Sequence, residues 1–196
     1  MNRSLLVLCL LLLAACSSAP STTPPPPTTL PEEEASSGAL EALLGNGIPP
    51  DERPAWHATP LTEVITGSAF TLADYAGKTI YVQPITAGCA ECLLQQMEVQ
   101  TAKERLNPEQ YLFITVSADP SDMLRNYATR YSFDWLFATA TPAFFADLMT
   151  TFGTEVTTLT DTPHFIISPL GAISTLSTGQ QTTDQLIAQL TAAAGA

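Results

Sequence analysis

The chain has 196 residues, 45% of them apolar and 13% charged, enough for one domain with a sizeable core. Its 19 acidic and 7 basic residues give a formal charge of −12. So few cations, spread thinly, exclude a nucleic-acid partner, because phosphate contacts need clustered Lys and Arg. The acidity bears on solubility rather than on fold.

The chain opens as an address. Met1–Ser4 carries one cation, Arg3, and Leu5–Leu13 is an apolar run that contains Cys9. This run is too short to span a bilayer and suits the core of a signal peptide. It ends in Leu13-Ala14-Ala15-Cys16, which resembles the bacterial lipobox. The resemblance implies cleavage before Cys16 and lipid on that residue, hence a protein anchored in the bacterial cell envelope outside the cytoplasm. An ordinary secretory cleavage is the alternative. By analogy, Ser17 permits sorting to an outer membrane. Cleavage removes Cys9, so Cys89 and Cys92 are the only free thiols expected in the exported domain. Such a compartment is oxidising or redox-managed.

Residues 17–38 are rich in Pro, Ser and Thr and cannot bury a core. They read as a disordered tether of about 65 Å, at about 3.1 Å per residue for polyproline. Glu32-Glu33-Glu34 reads as solvated. Ala39–Leu44 could form a short helix stopped by Gly45, and Asn46-Gly47 and Pro49-Pro50 break the chain again. The organisation expected is a signal peptide over 1–15, lipidated Cys16 and tether over 16–55, and one folded domain over 56–196 that starts near Trp56.

Within the domain, strands and helices alternate. Phe70-Thr71-Leu72 reads as a short strand and Ala76-Gly77-Lys78 as a turn. Thr79–Ile85 is a buried strand interrupted by Pro84, which suggests a bulge or an unpaired donor position. Ala90–Leu106 has helical apolar spacing at Leu94, Met97 and Leu106 and stops at Asn107-Pro108. Gln95 and Gln96 read as helix surface, and so does His57 near the domain's start. Tyr111–Ser117 is a second buried strand. Asp119-Pro120 caps a helix with Leu124, Tyr127, Ala128 and Tyr131 at i, i+3, i+4 and i+7. Thr141-Pro142 opens another helix, ended by Gly153. His164–Ser168 and Ala172–Leu176 read as an antiparallel hairpin, and Thr182–Ala194 as the last helix. Tyr75, Phe113, Phe133, Trp135, Phe144, Phe145 and Phe152 read as packing. The order β-α-β-α-α-β-β-α makes an α/β sandwich with a mixed sheet.

Chemistry concentrates in Cys89-Ala90-Glu91-Cys92, between a buried strand and a helix. Two cysteines at this spacing can be a redox pair, half a metal site or a staple. At a helix N-terminus, unpaired N–H groups and the dipole favour a Cys89 thiolate. Cys92, one turn later and inward, can attack a mixed disulfide. Cys89 is therefore the expected nucleophile and Cys92 the resolving thiol. The Glu91 charge opposes the thiolate, so the pair should be more reducing than strongly oxidising pairs of this kind.

Phe70-Thr71-Leu72-Ala73-Asp74-Tyr75-Ala76-Gly77-Lys78, followed by strand, cysteine pair and helix, resembles the TlpA/ResA-type thioredoxin-like proteins. Thr162-Pro163-His164-Phe165-Ile166-Ile167-Ser168-Pro169-Leu170-Gly171 is similar to that family's segment with a cis-proline opposite the cysteines. The resemblance covers about residues 56–194. It implies a thioredoxin-like sandwich, a central mixed sheet flanked by helices. It also implies membrane-anchored thiol–disulfide exchange outside the cytoplasm, with a cis bond at Pro163. Thr162 would offer a backbone docking edge. The partners implied are protein thiols or disulfides and a redox donor or acceptor protein; no organic cofactor is implied. Gly88 stands where many relatives carry an aromatic residue that helps hold partners. The helical stretch from Asp119 to Gly153 looks like the insertion of Sco-type and peroxiredoxin-like relatives.

Rival readings remain. Thiolates with one imidazole suit Cu(I), so Cys89, Cys92 and His164 could form a Sco-like copper site. Sco-like proteins space their cysteines wider, however, and place the histidine nearer the position of Thr160. A histidine after the proline can equally be structural. Thr86 matches the threonine of a peroxidase motif, but Val82 stands at its proline position, and Arg125 and Arg130 read as solvated helix residues. A staple in a non-enzymatic lipoprotein binding module would close too short a loop to contribute much. Structural zinc needs four ligands, and only His57 and His164 could join the cysteines.

Overall fold

The computed structural model describes residues 48–195. The expected signal peptide, Cys16, the tether up to residue 47 and the short helix over Ala39–Leu44 lie outside the described residues.

Ten regular elements follow a short irregular start: β1 (Leu61–Glu63), β2 (Ala69–Phe70), β3 (Thr79–Ile85), α1 (Ala90–Arg105), β4 (Tyr111–Ser117), α2 (Ser121–Tyr131), β5 (Leu136–Thr139), α3 (Pro142–Phe152), β6 (Phe165–Ile167) and α4 (Thr183–Ala194). The strands form one sheet in the order β2-β1-β5-β4-β3-β6. β3, β4 and β5 run parallel. β1 and β6 lie antiparallel to β5 and β3, and β2 antiparallel to β1. This is the mixed-sheet α/β sandwich expected.

Helices cover both faces. On one, Val99 and Ala102 of α1, Leu124 and Tyr127 of α2, and Leu186 and Leu190 of α4 pack with Tyr81, Phe113 and Phe137. On the other, Trp56, Leu72, Phe144 and Leu148 pack with Ile80, Val82, Ile114 and Phe165. With helices on both faces, a central strand can be apolar throughout. All seven residues of β3 are buried.

Capping fixes the helices. Thr141 accepts from Phe144 N–H and Pro142 starts α3, where its missing donor is harmless. Thr182 and Gln185 form a reciprocal capping box on α4.

Several expectations are corrected. β1 and β5 were not foreseen, since each has too few residues to show a period. β5 divides the stretch from Asp119 to Gly153, which is therefore helix–strand–helix within the sheet and not a helical insertion. The strand near Phe70 ends there; Thr71 N–H bonds to the Asp74 carboxylate and turns Leu72–Tyr75 into a 3-10 helix. The register of β3 with β4 runs unbroken through Pro84, so there is no bulge; β6 stops pairing at Val82 and leaves Pro84 without a partner on that side, in keeping with the other expectation, an unpaired donor position. The second hairpin arm forms only the isolated bridges Ile167–Ile173 and His164–Ser177. In its turn Gly171 has φ +87°, a conformation that L side chains adopt only with strain, so glycine is favoured there. His57 is buried against Trp56, not on the surface. Ahead of Trp56, Ile48 N–H donates to the Leu170 carbonyl.

Candidate active site

β3 delivers the chain to the top of the sheet, and Thr86-Ala87-Gly88 leads it into α1. Asp119 holds this loop. Its carboxylate accepts from Thr86 Oγ1 at 3.0 Å, Ala87 N–H at 2.7 Å and Ser117 Oγ at 3.0 Å. The sequence suggested that Asp119-Pro120 caps α2. Instead Pro120 occupies the cap position and no side chain caps that helix. The carboxylate is turned to the cysteine loop, a role for which an aspartate just past a buried strand was the only signal.

Cys89 is the N-cap of α1 and is joined to Cys92 by a disulfide, with the Cα atoms 5.2 Å apart. Cys92 N–H donates to Cys89 Sγ at 3.0 Å. Cys89 is 8% exposed and Cys92 is 0% exposed, so an incoming group meets Cys89 first. The helix N-terminus and that N–H stabilise negative charge on Cys89 once the pair is reduced. Glu91 Oε2 lies 4.0 Å from the same sulfur and opposes it.

The carbonyl of Leu159, in a 3-10 turn at Leu159–Asp161, sits 3.2 Å from Cys92 Sγ and 3.7 Å from Cys89 Sγ. A carbonyl oxygen accepts from a thiol and repels a thiolate. Beside a reduced pair it would disfavour negative charge on Cys92, while the Cys92 N–H favours it on Cys89. Backbone groups make the two sulfurs chemically distinct, and the Glu91 carboxylate adds a charge beside Cys89. Leu159 was not anticipated, because a main-chain carbonyl leaves no mark in a sequence.

Thr162 and Pro163 follow this turn and both are buried. No peptide bond among the described residues is cis, which corrects the isomer expected at Pro163. Thr162 turns the chain instead by adopting φ 47° and ψ 51°, a left-handed conformation rare for a β-branched residue. At the expected docking edge, Thr162 N–H donates to the Leu159 carbonyl, and the Thr162 carbonyl lies 3.2 Å from His164 Nδ1. Gly88 is exposed, with open space where a Cβ would point.

His164 is not brought to the sulfurs. Its Nδ1 faces the Thr162 carbonyl and its Nε2 lies 3.2 Å from Gln189 Oε1, with the ring against Tyr81. Burial lowers its pKa, against the raising effect of those two hydrogen bonds. Among the described residues no three His, Cys, Asp or Glu side chains converge as a metal site. Arg125 Nε donates to the Val64 carbonyl at 2.6 Å.

Gln95 and Gln96, expected on the surface, are fully buried, whereas Leu94 and Met97 are 53% and 55% exposed. α1 is thus rotated from the face its apolar residues suggested. Gln95 clamps the segment before α4: its Nε2 donates to the Gln181 carbonyl and its Oε1 accepts from Gln181 N–H. Gln96 Nε2 donates to Gln83 Oε1 at 2.6 Å, and Gln96 Oε1 accepts from Thr115 Oγ1 at 3.1 Å. Tyr81 and Trp135 extend this chain by donating to Gln83 and Thr115. Amide hydrogen bonds of Gln95 and Gln96, together with the burial of Val99 and Ala102, fix the rotation of the cysteine-bearing helix.

Known structures agree with this architecture. A thiol:disulfide interchange protein of the thioredoxin family from Chlorobium tepidum TLS matches at 17% identity, covering 72% of this chain and 95% of its own, with a TM-score of 0.63. A thioredoxin-related protein from Neisseria meningitidis serogroup B matches at 16% identity over 69% of this chain and 99% of its own, with a TM-score of 0.60. A secreted Mycobacterium tuberculosis disulfide oxidoreductase matches at 14% identity over 68% of this chain and 95% of its own, with a TM-score of 0.56. No protein-family model matches the sequence, and no curated protein does. The chain has a thioredoxin-like fold.

Proposed function

We propose that the chain is an extracytoplasmic thiol–disulfide oxidoreductase, held at a membrane by lipid on Cys16, that exchanges its Cys89–Cys92 disulfide with partner proteins. The reading rests above all on one asymmetry: Cys89 is the reachable sulfur and receives the Cys92 N–H bond, while Cys92 is sealed beneath the Leu159 carbonyl.

In the reducing direction the Cys89 thiolate attacks one sulfur of a partner disulfide. A Cys89–partner bond forms, and the partner's second sulfur leaves as a thiolate that takes a proton. Cys92 then loses its proton and attacks Cys89 Sγ. The internal disulfide closes and the partner's first sulfur departs. Two electrons have passed to the partner, and a dithiol protein must restore them. The oxidising direction is the same path reversed. Asp119 positions the cysteine loop, and the turn ending at Thr162-Pro163 supplies the Leu159 carbonyl. Three similar folds carry names of thiol–disulfide or thioredoxin-related proteins, which supports the same reading.

A Cys92→Ala chain expressed in its host provides the test. It should accumulate partners disulfide-linked through Cys89, recoverable and identifiable by mass. The Cys89→Ala chain should accumulate none. Equal trapping by both variants would contradict the assigned roles.

A further inference from the structure

At the end of the sheet away from the cysteines lies an open cavity of about 760 Å³. It sits where β4 and β5 begin, and Phe70, Tyr75, Leu106, Tyr111, Phe133 and Trp135 line it. Ile65 also lines it and is 57% exposed. The charged side chains of the lining are already engaged. Glu63 accepts from Ile65 N–H and from Thr66 N–H and Oγ1, and Lys103 pairs with Asp134 at 3.0 Å. The cavity therefore suits an apolar occupant, and an apolar concavity open to water marks a docking site.

The chain enters the domain beside it. Ile48 N–H donates to the Leu170 carbonyl, and the Ile48 carbonyl accepts from Arg53 Nε at 2.9 Å. Leu170 follows β6, which runs antiparallel to β3, so it lies at the same end as the starts of β3 and β4. Gly77 N–H donates to the Pro169 carbonyl and ties the Leu72–Tyr75 turn to that end. Arg53 and Tyr75 line one small cleft, and Tyr75 is also a wall of the large cavity. Just ahead of Ile48 the sequence gathers leucines. Between Ser17 and Gly47 the large apolar residues are Leu30, Leu40, Leu43 and Leu44, and the last three have the i, i+3, i+4 spacing of one helical face. At up to about 3.6 Å per residue, Leu44 lies within about 14 Å of Ile48 and Leu40 within about 29 Å.

We propose that Leu40, Leu43 and Leu44 fold back and fill this cavity, so that residues 39–44 complete the base of the domain. The docking needs neither lipid nor exchange chemistry. One consequence rests on the proposed anchor at Cys16: the tether then leaves the domain at the end opposite Cys89, and the reacting sulfur faces away from the membrane.

Hydrogen exchange of the full chain, read by mass, tests this. Amides of residues 40–47 should exchange at least about tenfold more slowly than in the unfolded chain, equivalent to about 1.4 kcal/mol. Ile65→Glu puts a charge into the cavity at an exposed position. It should return these amides to the unfolded rate and leave the protection of the rest of the domain unchanged. Leu43→Ser with Leu44→Ser should raise the unfolding equilibrium constant at least about tenfold, and adding Ile65→Glu should raise it little further. Fast exchange of residues 40–47 in the unsubstituted chain would overturn the proposal, and so would protection that survives Ile65→Glu. A concentration-dependent dimer, lost in Ile65→Glu but kept in the leucine variant, would give the cavity to a second copy instead. If Cys16 carries no lipid by mass, the orientation falls and the docking stands.

Discussion

Cys89 and Cys92 differ in what their sulfurs touch, and two buried polar groups near the core carry consequences of the same kind. Burial, with the charge of Arg53 second, lowers the His57 pKa from 6.5 to about 4. Both its ring nitrogens lack partners among the described residues. Folded His57 is neutral where the unfolded chain already binds a proton. Its contribution is therefore intact above pH 6.5 and is lost as pH falls from there towards 4, by up to about 3 kcal/mol at 1.36 kcal/mol per unit. Urea unfolding across that window should show the loss, and His57→Phe should flatten it; an unchanged slope would count against the buried neutral imidazole. Gln96 offers a second case. Gln96→Met strips a partner from both Gln83 and Thr115 and should destabilise by about 1–3 kcal/mol. Adding Gln83→Met should cost less than its own single effect, because the pair shares one hydrogen bond. Strict additivity in the double-mutant cycle would show that the bond carries no weight.

At the scale of elements, α1 shows what a sequence can and cannot say. Its bounds follow from the strand–cysteine junction and from Asn107-Pro108. Its rotation does not, because Leu94 and Met97 compete for the core with Gln95 and Gln96, and the amides win through partners on β3, β4 and the segment before α4. Leu94→Glu and Met97→Glu should each change stability by less than about 0.5 kcal/mol. Val99→Ala, which removes two buried methyl groups, should cost about 2–3 kcal/mol. Thermal or urea unfolding separates these outcomes, and a large loss at Leu94 would refute the observed rotation. β3, β4, α2, α3 and α4 were legible because each is long, capped or strongly periodic. β1 and β5 were not, since three or four residues exist as strands only through their neighbours. The cysteine pair was legible as a motif in context. The carboxylate of Asp119 and the carbonyl of Leu159 come to it through tertiary placement, which no local pattern records. The cis geometry at Pro163 was an inference from resemblance, and a left-handed Thr162 takes its place.

For the whole molecule, the disulfide is not what holds the domain together. Closing so short a loop stabilises by about 2 kcal/mol in the chain-entropy picture, whereas two apolar layers bury Trp56, Phe137, Phe144 and Phe165 almost completely. The pair can therefore open and close on an intact scaffold, which an exchange protein requires. The most direct measurement equilibrates the full chain with dithiothreitol or glutathione buffers of stepped potential, quenches with an alkylating reagent and weighs the products. The account predicts one reversible two-electron transition involving Cys89 and Cys92 together, in folded protein, well to the reducing side of the about −120 mV of a strong oxidant. A disulfide that stays closed at every potential until the protein unfolds would contradict it.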